Sequence, residues 1–123
     1  MSSAPRTAHI VFDCADAAQL ASFWSRLLEV EVDEGASPYF ATVGSRGPER
    51  LSPAYMFLQV PEERAGKNRL HVDLVGPDLP AQVRRAIDLG ARHVDDFDEY
   101  GTVWTTLADP EGNLFDVAGA SGA

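Results

Sequence analysis

The sequence predicts an α+β fold built from two tandem βαβββ modules. Three observations lead there. Short alternating strands outnumber two amphipathic helices. Each helix directly follows a strand that carries a histidine. Several residues recur at one offset: His9 as His71, Asp16 as Asp78, Val32 as Val94 and Asp33 as Asp95. A shared pattern together with a shared offset is the mark of an internal duplication. At 123 residues the chain has the length of one small domain. Module one is expected over about 7–60, a linker over 61–68 and module two over about 69–118.

Within module one, Thr7 to Cys14 alternates as a strand, with Ile10, Phe12 and Cys14 on one face and His9, Val11 and Asp13 on the other. Asp16 is a good helix N-cap. Leu20, Phe23, Trp24, Leu27 and Leu28 then fall at helical spacing and form an apolar stripe. Further strands are predicted at Glu29 to Asp33, Tyr39 to Val43 and Ala54 to Val60, with a Gly- and Pro-containing loop from Gly44 to Pro53. Pro61 to Asn68 reads as the connector.

Module two repeats the order. Arg69 to Val75 is a strand, and Asp78 caps a helix that tolerates Pro80 in its first turn. Leu79, Val83, Ala86 and Ile87 make its stripe, and Gly90 occupies the C-terminal cap. A short strand over Ala91 to Asp95 precedes an acidic loop, Asp95 to Gly101. Val103 to Ala108 and Leu114 to Val117 are strands joined by the tight turn Asp109–Asn113, and a frayed tail is expected from Ala118.

Hydrophobic residues make up 45% of the chain, enough for a packed core. The net charge of −9 argues against nucleic acid, whose phosphates need a basic face. It suits solubility, and it would also draw a cationic ligand. No apolar run reaches the length that crosses a bilayer, and no signal-peptide core precedes His9, so a cytoplasmic protein is expected. The lone cysteine, Cys14, can form no intramolecular disulfide and sits on the apolar face of its strand, where an inert thiol is expected.

The stretch Lys67 to Asp78 carries the main functional signal. His71 and Asp73 share one face of its strand, and Leu70, Val72 and Leu74 share the other. A polar face opposite an apolar one looks at water or at a site. The ordinary readings are a histidine that orients Asp73 or Asp13, a hydrogen-bonded His9, and an Asp116 paired with Arg69. His93 beside Arg92 reads as solvated, Trp24 as core and the run Asp95 to Glu99 as a solvated loop.

Three motifs carry a resemblance: DCADAAQLASFW after the first strand, PEERAGKNRLHVDL in the middle and DPEGNLFDV at the end. With them the chain resembles the vicinal oxygen chelate superfamily of glyoxalases, extradiol dioxygenases and fosfomycin- and bleomycin-resistance proteins. It looks most like the small glyoxalase-like proteins of actinobacteria. The resemblance implies a cupped, largely antiparallel sheet with helices outside and a ligand cavity inside, and a homodimer. In metal-using members the ligands come from the first and last strands of each module. His9, His71 and Asp116 match those positions, with Leu58 or Gln59 at the fourth. The resemblance thus implies one divalent ion (Zn, Ni, Fe or Mn) on His9, His71 and Asp116. Asp116 is one methylene shorter than the glutamate usual in the family.

If His9 and His71 face the cavity, Asp13 and Asp73 do too, and Tyr39, Tyr55, Phe57 and Trp104 are expected to help line it. Three functional readings follow. One is a small-molecule binder, acting in resistance by sequestering a cationic or aromatic compound. Another is a metal-dependent lyase, isomerase or transferase of glyoxalase type. The third is a partner-binding module without catalysis.

Overall fold

The computed structural model of the protein describes residues 5–63, 65–66, 70–99 and 101–119. It divides into two compact units, Met1–Glu63 and Arg64–Ala123. Each holds one sheet and one helix.

In the first unit, β1 (His9–Cys14), α1 (Ala17–Leu28), β2 (Phe40–Val43) and β3 (Ala54–Gln59) follow one another. The sheet order is β1-β3-β2, with β1 parallel and β2 antiparallel to β3. The β1–β3 pairing is parallel because α1 carries the chain across and returns it in the same direction. Asp16 starts α1 as expected: its carboxylate accepts from the Gln19 N–H at 3.1 Å. Glu29 ends it in the left-handed region, at φ 58°. Ala17, Leu20, Ala21, Phe23 and Trp24 form the buried stripe. Trp24 is wholly buried and packs against Phe12 and Tyr55, at 5.2 and 5.5 Å between centroids. Burying side chains of this size contributes about 1.5–3 kcal/mol each and offsets the entropy of ordering so small a unit. Cys14 is buried, and its thiol donates to the Leu58 carbonyl at 3.4 Å.

The predicted strand over Glu29 to Asp33 contracts to a single bridge between Val32 and Val43. Asp33 explains why the chain turns there. Its carboxylate takes the Thr42 hydroxyl at 2.7 Å and the Ser45 N–H at 2.9 Å, adding side-chain ties to the bond from its own N–H to the Thr42 carbonyl at 2.9 Å.

The second unit contains β4 (Val72–Gly76), α2 (Leu79–Leu89), β5 (Arg92–Glu99), β6 (Thr102–Ala108) and β7 (Leu114–Gly119), with sheet order β4-β7-β6-β5. Again the first strand runs parallel to the last, and the other ladders are antiparallel. Asp78 caps α2 through the Ala81 N–H at 3.2 Å, from a left-handed backbone that aspartate tolerates better than most residues. Gly90 closes the helix at φ 127°. The stripe of α2 is narrower than predicted: Ala86 is buried, whereas Ile87 is exposed. Beneath the helix side lie Leu107, Phe115 and Val117.

Two expectations change here. The acidic segment is no loop: β5 runs through it to Glu99, paired with β6 on both sides of a register shift between His93 and Asp95. β5 is one of the two edge strands of its sheet, and carboxylates on an edge strand deter further pairing. The chain is also ordered as β7 to Gly119 instead of fraying from Ala118. The first residue of the predicted strand, Arg69, lies outside the described residues, so its pairing with Asp116 does too. Among the described residues no helix is long and apolar enough to cross a membrane.

Candidate metal centre and ligand groove

The site is built on the face of the second sheet opposite α2. Its register begins at the turn DPEGN. The Asp109 carboxylate, buried, accepts the N–H groups of Glu111 and Asn113 at 2.9 and 3.0 Å. Gly112 takes φ 89°, a value a side chain would resist. That turn fixes the β6–β7 hairpin so that Ala108 pairs with Leu114, Thr106 with Asp116 and Trp104 with Ala118. On the far side of β7, Asp73 of β4 pairs with Asp116. Alternation does the rest. Phe115 and Val117 turn into the core, while Asp116 turns to the open face beside Asp73, Thr106 and Trp104.

His71 precedes β4 by one residue and stands two before Asp73, so it reaches the same face. Its Nε2 lies 3.0 Å from Asp73 Oδ1 and 3.3 Å from Asp116 Oδ2. The other oxygen of Asp116, Oδ1, accepts the Thr106 hydroxyl at 2.5 Å. The three donor atoms of His71, Asp73 and Asp116 all lie within 4.8 Å of one another. The Asp116 side chain is 19% exposed, against 49% for His71 and 73% for Asp73, so Asp116 forms the floor and Asp73 the rim.

These residues fit a divalent ion. Ligands bound at about 2.1 Å sit ~3.0 Å apart at a right angle and ~3.4 Å apart at the tetrahedral angle. The two His71 distances match those separations. The span of such an ion reaches at most ~4.2 Å, so any wider gap between the carboxylates closes by tenths of an ångström. The donors are also oversupplied with lone pairs. Two carboxylate oxygens face one imidazole nitrogen, which has at most one proton to give. A cation satisfies all three.

An open groove of about 370 Å³ runs from this centre, lined by His71, Asp73, Leu74, Glu99, Thr102, Trp104, Asp116 and Ala118. Among the described residues no lysine or arginine lines it. The Trp104 ring is backed by Phe97, nearly parallel at 16° and 5.1 Å between centroids. The result is a rigid aromatic shelf flanked by carboxylates, Asp73 and Asp116 on one side and Glu99 on the other.

The structure brings together His71, Asp73, Asp116 and Trp104 of the residues singled out by sequence. In the first unit, His9 and Asp13 are exposed on β1, alternating with the partly buried Phe12. Tyr39 is 69% exposed just before β2. Tyr55 and Phe57 were expected to line a cavity. They lie instead in the core of their unit, Tyr55 tilted against Phe12 at 5.4 Å and Phe57 stacked on it at 5.0 Å. Burial raises the Tyr55 phenol above its ordinary pKa, as befits a core side chain. The Leu58 side chain is apolar and offers no donor, and Gln59 donates its amide to the Ala15 carbonyl at 3.0 Å.

Sequence reasoning missed Thr106, Glu99, Thr102 and Phe97. Thr106 was within reach: the tight DPEGN turn sets the hairpin register, and that register puts Thr106 opposite Asp116. His93, read as solvated, pairs with Asp96 at 2.9 Å, and Asp96 also accepts the Thr105 hydroxyl at 2.8 Å. These partners hold the Asp96 carboxyl below its ordinary pKa. A larger groove of about 570 Å³ in the first unit is bounded by Glu29 to Glu34 and Arg46 to Glu49.

Comparison with known proteins now bears on this geometry. The profile described as glyoxalase-like domain matches residues 9–118. The chain belongs to the glyoxalase-like domain family. Solved structures of similar fold include a glyoxalase/bleomycin resistance protein/dioxygenase family enzyme from Burkholderia phytofirmans. It is 16% identical, with a TM-score of 0.76 over 94% of this chain and 98% of that one. A glyoxalase-related enzyme from Fulvimarina pelagi is 12% identical, with a TM-score of 0.71 over 95% and 89%. A mutant of the fosfomycin resistance protein FosX from Listeria monocytogenes, complexed with Mn(II) and a dihydroxypropylphosphonic acid, is 12% identical. Its TM-score is 0.72 over 98% and 94%. At such identities these likenesses establish the fold. No curated protein matches the sequence.

Proposed function

We propose that this glyoxalase-like protein binds a small molecule in the groove of its second unit, against a divalent ion held by His71, Asp73 and Asp116. The observation that carries the reading is the convergence of His71 Nε2 with Asp73 Oδ1 and Asp116 Oδ2, at 3.0 and 3.3 Å. One nitrogen and two carboxylate oxygens form a hard donor set suited to Mn(II), Fe(II) or Zn(II), with positions left for water or ligand. Such an ion would polarise a carbonyl or hydroxyl oxygen brought to it. The fold similarity to a Mn(II)-containing resistance protein supports the same reading.

The chain's own residues set what enters. Glu99, Asp73 and Asp116 give the groove an excess of negative charge, and among the described residues His71 is the one basic side chain that lines it. The Trp104–Phe97 shelf offers a flat apolar surface. The ligand class is therefore neutral or cationic with a planar portion, unlike the phosphonic acid held by the Listeria protein. His9 is proposed to contribute to ion binding as the family resemblance implies, and the chain to act as a homodimer.

A second reading is sequestration with no metal, in which a ligand's own ammonium group meets the carboxylates. The exposed, acid-lined groove beside the aromatic shelf favours it. Metal analysis of protein purified without chelator, followed by Mn(II) titration, separates the two. Binding at micromolar level supports the metal centre. Failure to bind Zn(II), Mn(II) or Fe(II), together with quenching of Trp104 by aromatic amines, supports sequestration.

A further inference from the structure

We infer that Thr106 is a positioning residue that sets how Asp116 meets the ion, which rests on the metal centre proposed above. Thr106 and Asp116 pair in register on β6 and β7, and both side chains rise from the open face. The Thr106 hydroxyl donates to Asp116 Oδ1 at 2.5 Å, while Oδ2 lies 3.3 Å from His71 Nε2. One oxygen is thus committed to the hairpin and the other is turned toward the centre.

A hydroxyl has a single proton, and here it fixes the rotation of the carboxylate about its last bond. Asp116 has two side-chain torsions, and this one decides which oxygen faces the centre. Held this way, Asp116 supplies one oxygen to an ion. Without the hydroxyl the carboxylate turns freely and offers either one oxygen or both. Hydrogen bonds that orient metal ligands in this manner are commonly worth 10–100-fold in affinity. Asp73, by contrast, stands at the exposed rim with His71 beside it, so Asp116 is the ligand whose orientation the sheet controls.

The test uses the full chain and two ions. Thr106→Val keeps the shape of the side chain and removes the donor, and Thr106→Ser keeps the donor. Mn(II) affinity is read by titration, and Co(II) visible absorption reports coordination number. The expected result is a loss of about tenfold in Mn(II) affinity for Thr106→Val. A weaker Co(II) band should accompany it as Asp116 chelates through both oxygens, with both properties restored in Thr106→Ser. Thr106→Ala serves if Thr106→Val does not fold, since it adds no bulk. Wild-type affinity and spectrum in the donorless variant overturn the inference and leave the metal centre standing. Absence of Mn(II) and Co(II) binding in the wild type overturns the metal centre, and the inference with it.

Discussion

Asp73 and Asp116 are register partners on the parallel strands β4 and β7, and both present an oxygen to the same nitrogen of His71. Two like charges on adjacent strands oppose each other unless something positive lies between them. That relationship organises the site and gives the second sheet a donor set suited to a cation.

In chelator-treated protein, Asp73→Asn should therefore be mildly stabilising. Relief of a like-charge cross-strand pair is worth about 0.2–1 kcal/mol, and the exposure and screening of Asp73 put it near the lower figure. A rise in Tm of roughly 1–3 °C is expected. With saturating Mn(II) the order reverses, because the wild type gains more from the ion than the variant does. Thermal melts with and without Mn(II) check both signs. A fall in Tm for metal-free Asp73→Asn would contradict the strained pair.

Fluorescence should report on the groove through one tryptophan. Trp104 lines the groove, whereas Trp24 is fully buried in the first unit. A planar amine entering the groove should quench emission in the wild type and leave Trp104→Phe unresponsive. A response that survives in Trp104→Phe would place the ligand elsewhere.

Acid should loosen the first unit through Asp33. Burial alone would raise its carboxyl, but the Thr42 hydroxyl, the Ser45 amide and the nearby Arg46 charge outweigh this and hold it below its ordinary value. A group with a depressed folded pKa contributes stability that is present above its unfolded value, ~3.9. That contribution is lost as pH falls through the lower folded value. Asp33→Asn should therefore destabilise the protein by about 1 kcal/mol at pH 7, with the difference shrinking below pH ~4. Denaturant melts at pH 7 and pH 3 measure it, and a pH-independent difference would count against the account.

Much of this was legible in the sequence. Asp16 and Asp78 announce both helices because an N-cap needs a short acceptor at one position, and the structure gives each its N–H partner. His71 and Asp116 follow from alternation and from the family resemblance. Other features hide for physical reasons. β5 carries acids on both faces, so no period-two apolar signal marks it. What makes it a strand is its partner, β6, through the Phe97–Trp104 stack and the Thr105–Asp96 bond. As aromatic strand residues, Tyr55 and Phe57 fit a cavity wall by sequence alone. Their face is decided by helix α1, whose Trp24 occupies the same side of the sheet. The sequence points to Asp73 as a ligand-binding group, and its place 3.0 Å from His71 Nε2 is a distance that no spacing reveals.

The most direct test of the account is Mn(II) titration of wild type against His71→Ala and Asp116→Asn, followed by electron paramagnetic resonance of the free ion. The account predicts a saturable micromolar site in the wild type and a loss of at least about tenfold in affinity in each variant. No saturable binding in the wild type, or equal binding in all three proteins, would contradict it.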